Sequence, residues 1–244
     1  HMALEQADIS PVSPKADIEA GLITHPMDKW LLGELSETVE KATKAFEAYE
    51  YAQALRLTDD FFWRTYCDNY LEIVKNRTRF EGKPDAGQIS ALHTLWHASM
   101  IQLKLFAPFI PYVTDTLHDV LAGSEGADTP TIHARGQWPK LDEQADRKGF
   151  RDEGEAFVSI LAGVRKFKSE LQVSMKAPIS VLTIVADADG DITNVIGPVV
   201  EDLKAVTNAL EVRMGPVSSG QRTSLSPDER FTIALEMAPS EDRA

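Results

Sequence analysis

A single cysteine, Cys67, rules out a disulfide within the chain and fits a reducing, cytoplasmic setting. No apolar stretch approaches the roughly 20 residues of a membrane span, and no secretory signal pattern is present. Positive charge is in deficit: 25 Lys and Arg face 38 Asp and Glu, a formal net charge of -13. That balance argues against a general nucleic-acid coat, which needs an excess of Lys and Arg. It leaves room for a local basic face, because phosphates respond to the charge near them. Also missing are a Gly-x-x-x-x-Gly-Lys-Ser/Thr phosphate loop, a Gly-x-Ser-x-Gly elbow, a cysteine pair and a strand-linked glycine fingerprint. No catalytic residue is assigned.

What is present is helical periodicity, in a chain of 244 residues that is long enough for one large domain or two modest ones. The opening His1-Met2 pair reads as an expression remnant, so the chain is expected to be an excised piece. Residues 1–27, with Pro11, Pro14, Gly21 and Pro26, read as a linker or a partial upstream element. Between Asp28 and Glu47, Trp30, Leu31, Leu35, Val39, Ala42 and Phe46 recur at helical spacing. A second helix is expected from about Tyr51 to Phe80, apolar over so wide an arc that it must touch more than one neighbour. After a break at Gly82–Gly87, a third runs from about Ile89 to Leu121, with a kink where Pro108 and Pro111 bracket Phe109 and Ile110.

The predicted fold is mainly α: an antiparallel helical bundle over 28–145, because no such helix can bury its apolar stripe alone. A connecting helix at 146–177, carrying a second basic patch of Arg165, Lys166 and Lys168, leads to a small α/β domain at 178–244. There Ile179–Ala186 reads as a strand. Val195–Leu210 reads as a helix interrupted near Gly197-Pro198, and Leu210–Met214 and Phe231–Met237 complete a small sheet.

Chemistry is sparse. His93 and His97 share i,i+4 spacing, which could set two metal ligands on one face. Their segment lacks the glutamate of a His-Glu-x-x-His metalloprotease, and no third ligand is evident nearby. They are read as two partly exposed histidines on a packing helix, and no metal site is assigned. Asp187, Asp189 and Asp191 alternate like part of a calcium loop but lack its length and terminal glutamate, so a solvated turn is expected.

The stretch Ala54–Arg79 stands apart. It packs aromatics into a helix and ends on Lys75, Asn76, Arg77 and Arg79, with Lys83 in the following loop. Such donors could contact phosphates or an unstacked base, with Phe80 or Trp96 as a stacking partner. They would equally serve as a solvated positive end complementing the helix dipole. Phe61, Phe62, Trp63, Tyr66 and Tyr70 are expected in the core.

Three segments carry a resemblance. They are Met27–Leu55 with its Asp-x-Trp-x-Leu-type start; Asp59–Arg77 with Phe62-Trp63, Cys67-Asp68 and Tyr70-Leu71-Glu72; and Leu103–Leu121 with Ala107-Pro108-Phe109-Ile110-Pro111. Trp138-Pro139 follows. In this order they resemble the carboxy-terminal anticodon-binding region of class I aminoacyl-tRNA synthetases of the valine, isoleucine and leucine group, with the second segment favouring the valyl type. Asp115-Thr116 stands where the family usually has Glu-Glu. Neither His-x-Gly-His nor Lys-Met-Ser-Lys-Ser is present.

The resemblance implies a part that binds tRNA(Val) through the anticodon stem-loop, with Lys75, Asn76, Arg77, Arg79 and Lys83 as candidate contacts. It implies no cofactor for this piece, and ATP and Mg for the parent. Aminoacylation and removal of mischarged threonine would fall to catalytic and editing domains elsewhere in the parent chain. A cytoplasmic monomer without membrane association is expected. Two rivals stay open: a stand-alone synthetase-like RNA-binding protein, and a helical protein-interaction module that uses Arg151–Gln172 as its partner surface.

Overall fold

The computed structural model describes residues 11–79, 84–122, 131–135, 137–140, 151–186 and 192–238. Lys83, Phe80, Asp187, Asp189 and Asp191 lie outside them. The chain divides into two compact units, residues 1–151 and 152–244. The first is helical and the second holds a small mixed sheet, so the protein is mainly α with a small α/β part.

In the first unit, α1 (Pro14–Glu19) is capped by the Ser13 hydroxyl, and it belongs to a segment that buries Asp17 and Ile23. Asp17 and Ile23, within the stretch read as a linker or a partial upstream element, are thus buried. Helix α2 (Pro26–Glu47) starts with His25 as N-cap and Pro26 in its first turn, where a missing N–H costs nothing. It buries Trp30, Leu31, Leu35, Val39 and Ala42 as its periodicity predicts. It ends with Tyr49 at φ 60, while Glu50 N–H reaches the Ala45 carbonyl at 2.8 Å and Tyr49 N–H the Phe46 carbonyl at 3.0 Å. This 6→1 and 5→2 pairing closes the helix in a form that usually takes glycine, and it turns the chain tightly into the next helix.

The expected second helix is present but not uniform. α3 (Tyr51–Asp60) passes into a π-helix at Phe61–Tyr70 and returns to α4 (Leu71–Val74). The wider i→i+5 turn shifts the phase of the stripe. Phe62, Tyr66 and Tyr70 stack in sequence at centroid distances of 6.4 and 6.2 Å. Trp63, expected in the core, is instead 56% exposed.

Asp85 and Gln88 form a reciprocal capping box at the start of α5 (Ala86–Phe106). The chain then breaks at the prolines and resumes as α6 (Pro111–Ala122), as predicted. Asp115 accepts from Ile132 N–H at 2.8 Å and so holds the start of α7 (Ile132–Arg135). Trp138 donates from Nε1 to Thr43 Oγ1 at 2.8 Å and sets its edge against Phe46 at 4.9 Å. The late Trp-Pro pair therefore docks on α2.

The second unit is built on α8 (Arg151–Glu170), which buries Phe157, Ile160, Leu161, Val164 and Phe167. Strand β1 (Ile179–Ala186) lies between β2 (Ala209–Met214), parallel to it, and β4 (Phe231–Met237), antiparallel. A fourth strand, β3 (Thr223–Leu225), adds to the free side of β4 and was not evident from the sequence. The crossover from β1 to β2 runs through α9 (Ile192–Ile196), a 3₁₀ turn at Gly197–Val199 and α10 (Val200–Thr207). The interruption falls at Gly197-Pro198 as expected. A Cβ on Gly163 would sit 2.3 Å from Ile233 Cδ1 and 3.2 Å from the Ser226 Cα, so the close approach of α8 to β4 depends on glycine.

Candidate nucleic-acid interface

The basic end of the second helical run is organised by one buried carboxylate. Asp28, on the first turn of α2, is fully buried. Its Oδ1 accepts from the Tyr70 hydroxyl at 2.9 Å and Arg77 NH2 at 2.7 Å. Its Oδ2 accepts from Arg77 NH1 at 3.0 Å and Ser90 Oγ at 2.6 Å. Four charge-assisted bonds fill the acceptor capacity of the carboxylate. Ser90 Oγ in turn accepts from the backbone N–H groups of Thr24 and His25, both at 3.1 Å. One network therefore ties the start of α2, the π-helix, the turn after α4 and the start of α5.

Arg77 is accordingly turned inward, its side chain only 14% exposed. Lys75 and Arg79, two residues to either side, point to solvent. Lys75 lies 3.5 Å from Glu72 with its side chain 60% exposed. Arg79 is exposed, and its carbonyl accepts from Gln88 Nε2 at 2.6 Å. Asn76 is exposed on the same turn. Of the five predicted contacts, Lys75, Asn76 and Arg79 are thus exposed, Arg77 is drawn inward, and Lys83 lies outside the described residues. Trp96, the suggested stacking partner, packs against the buried Met100 and Leu103.

His25 sits beside this network and caps α2, its Nδ1 accepting from Met27 N–H at 3.3 Å. Burial, followed by the positive charge of Arg77, pushes its pKa down to about 4, with Asp28 pulling the other way. The folded value lies below the ordinary one near 6.5, so folding favours neutral His25. Its contribution is complete above pH about 6.5 and is lost as pH falls toward 4. Urea midpoints measured across that window are expected to fall more steeply for the natural chain than for His25→Asn, which keeps an acceptor but does not titrate. Parallel curves would contradict this.

Two features went unseen in the sequence. Asp17 on α1 meets both histidines of α5, with its Oδ2 2.6 Å from His93 Nδ1 and 2.7 Å from His97 Nε2. His93 and His97, expected partly exposed, are 3% and 2% exposed. Burial alone would raise the Asp17 pKa, but bonds from His97 and His93 hold it low. Burial also lowers His97, despite the carboxylate. The second feature is an apolar cleft of about 480 Å³ between the π-helix and α6, with Phe62, Trp63, Phe106, Val113 and Leu117 on its walls. Neither has a contiguous signal, because each joins residues far apart in the chain.

Comparison with known proteins gives this geometry a family. Residues 28–183, well over half of the chain, match the model of the anticodon-binding domain of tRNA ligase. The chain belongs to that family. The matched anticodon-binding region begins at Asp28, the residue on which the network converges. Curated relatives agree. A valine–tRNA ligase of Rickettsia felis is 41% identical over 196 residues, covering 78% of this chain and 21% of its own length. One from Rickettsia typhi is 42% identical over 191 residues, covering 77% and 22%. One from Anaplasma marginale is 37% identical over 222 residues, covering 91% and 24%. The chain thus spans less than a quarter of the length of these relatives. None of the helices among the described residues is long and apolar enough to cross a membrane.

Proposed function

We propose that this anticodon-binding domain is the tRNA-holding part of a valine–tRNA ligase. It grips the anticodon stem-loop of tRNA(Val), so that the acceptor end reaches a catalytic domain elsewhere in the parent chain. The observation that carries the reading is the family match over 28–183, together with relatives that are valine–tRNA ligases. Lys75 and Arg79 supply the phosphate contacts and Asn76 a neutral donor and acceptor, while Arg77 holds the turn that presents them. Valine activation with ATP and Mg, transfer to tRNA and editing belong to the rest of the parent, which acts as a monomer in the cytoplasm. The domain's share is positional: phosphate contacts fix register, and single-stranded loop bases supply sequence.

Filter binding of tRNA(Val) and an unrelated tRNA at increasing salt tests this. Binding is expected to favour tRNA(Val) and to weaken as salt rises, because phosphate contacts release counterions. The double substitution Lys75→Ala, Arg79→Ala should weaken both tRNAs and reduce the salt slope by about 1 to 2. Absent or salt-independent binding would overturn the tRNA reading. Equal binding of both tRNAs would overturn the valine assignment alone.

A further inference from the structure

We propose that Asp17, His93 and His97 form a binding site for a divalent transition metal of the zinc class. The three donor atoms, Asp17 Oδ2, His93 Nδ1 and His97 Nε2, lie within 4.8 Å of one another, and all three residues are buried. The histidines stand one turn apart on α5, so their rings leave the same face of a rigid helix. The carboxylate comes from a separate element 76 residues away from His93. Two imidazoles and one carboxylate are a donor set suited to zinc, cobalt or nickel, and unsuited to calcium or magnesium, which prefer oxygen. A cavity of about 270 Å³ lined by Ser13, Trp96 and Lys104 has His97 on its wall. Three protein ligands leave the fourth tetrahedral position to a water, the arrangement of an open zinc site.

Both rings share one carboxylate oxygen, at 2.6 and 2.7 Å. Metal–ligand bonds of about 2.0–2.1 Å in a tetrahedron separate donor atoms by about 3.3 Å. Entry of the ion therefore asks Asp17 Oδ2 to withdraw by about 0.6 Å from each ring nitrogen, and the two ring nitrogens, within 4.8 Å of each other, to settle at that same spacing. Each neutral imidazole then coordinates through the nitrogen that now faces Asp17. In the coordinating form the ring proton sits on the other nitrogen, Nε2 of His93 and Nδ1 of His97. The ion would fasten residues 11–25 to α5 and so close the start of the helical unit.

The test uses the full 244-residue chain, stripped with a chelator and titrated with cobalt, then with competing zinc. One equivalent of cobalt is expected to give the visible bands of tetrahedral coordination, and zinc should abolish them. Nitrogen NMR of the imidazoles should show zinc shifting His93 Nδ1 and His97 Nε2, which identifies the ligands without any substitution. His93→Gln and Asp17→Asn keep hydrogen-bonding groups and are expected to weaken binding by at least about 100-fold, since loss of even an outer partner costs 10–100-fold. His133→Gln, at an exposed position, should bind as the natural chain does. Absence of the cobalt bands, unmoved ring nitrogens, or equal affinity in His93→Gln would each overturn the site and leave a hydrogen-bonded clamp.

Discussion

Replacing Asp28 by alanine is expected to lower the stability of the helical unit by about 3–5 kcal/mol, the cost of removing one partner from a buried ion pair. The substitution takes the buried carboxylate away from Arg77, and it removes the acceptor for the Tyr70 and Ser90 hydroxyls. Unmet buried donors carry most of that cost, since a lost bond that water could replace is worth only about 1 kcal/mol. All four tryptophans, Trp30, Trp63, Trp96 and Trp138, lie in residues 1–151. Urea unfolding followed by tryptophan fluorescence therefore reports this unit. A companion Arg77→Met variant and the double variant complete a cycle, in which strong coupling between the two positions is expected. A loss under about 1 kcal/mol for Asp28→Ala would show that the network does not hold the unit together.

The second large effect belongs to the other unit. Lys168, read as part of a second basic patch, is 2% exposed. Its ammonium donates to the carbonyls of Met175, Ala177 and Thr207 at 2.9, 2.8 and 2.9 Å. All three of its donor hydrogens are used, and burial lowers its pKa. One side chain thereby secures the end of α8, the approach to β1 and the end of α10. Lys168→Met keeps the apolar stem but orphans three carbonyls, and it is expected to cost roughly 3 kcal/mol, about one for each. Because no tryptophan lies in residues 152–244, the change should appear in far-ultraviolet circular dichroism and leave the fluorescence transition in place. A shift of the fluorescence midpoint with no circular-dichroism change would refute it.

Much of the fold was legible because its signals are local. Apolar spacing located α2. Pro108 and Pro111 located the break between α5 and α6, and Gly197-Pro198 the interruption before α10. The β-branched run at Ile179–Ala186 located β1. These features depend on neighbours within a few positions, where backbone sterics and one-sided burial act directly. β3 was missed because three residues carry too little pattern. The π-helix was missed because its aromatic content fits an ordinary helix equally well.

The candidate surface shows the division most clearly. Sequence alone determined that a cationic cluster, Lys75 to Arg79, follows an aromatic helix, and that three ordered segments resemble an anticodon-binding region. It could not determine which cations face outward. That depended on Asp28, 49 residues away from Arg77, whose fully buried carboxylate draws the guanidinium in and leaves Lys75 and Arg79 on the surface. Asp17 likewise turned a pair of helical histidines into a three-residue cluster, at sequence separations of 76 and 80. Local pattern sets what each element is. Burial of charge depends on which distant partner arrives to satisfy it, and only the packed chain decides that.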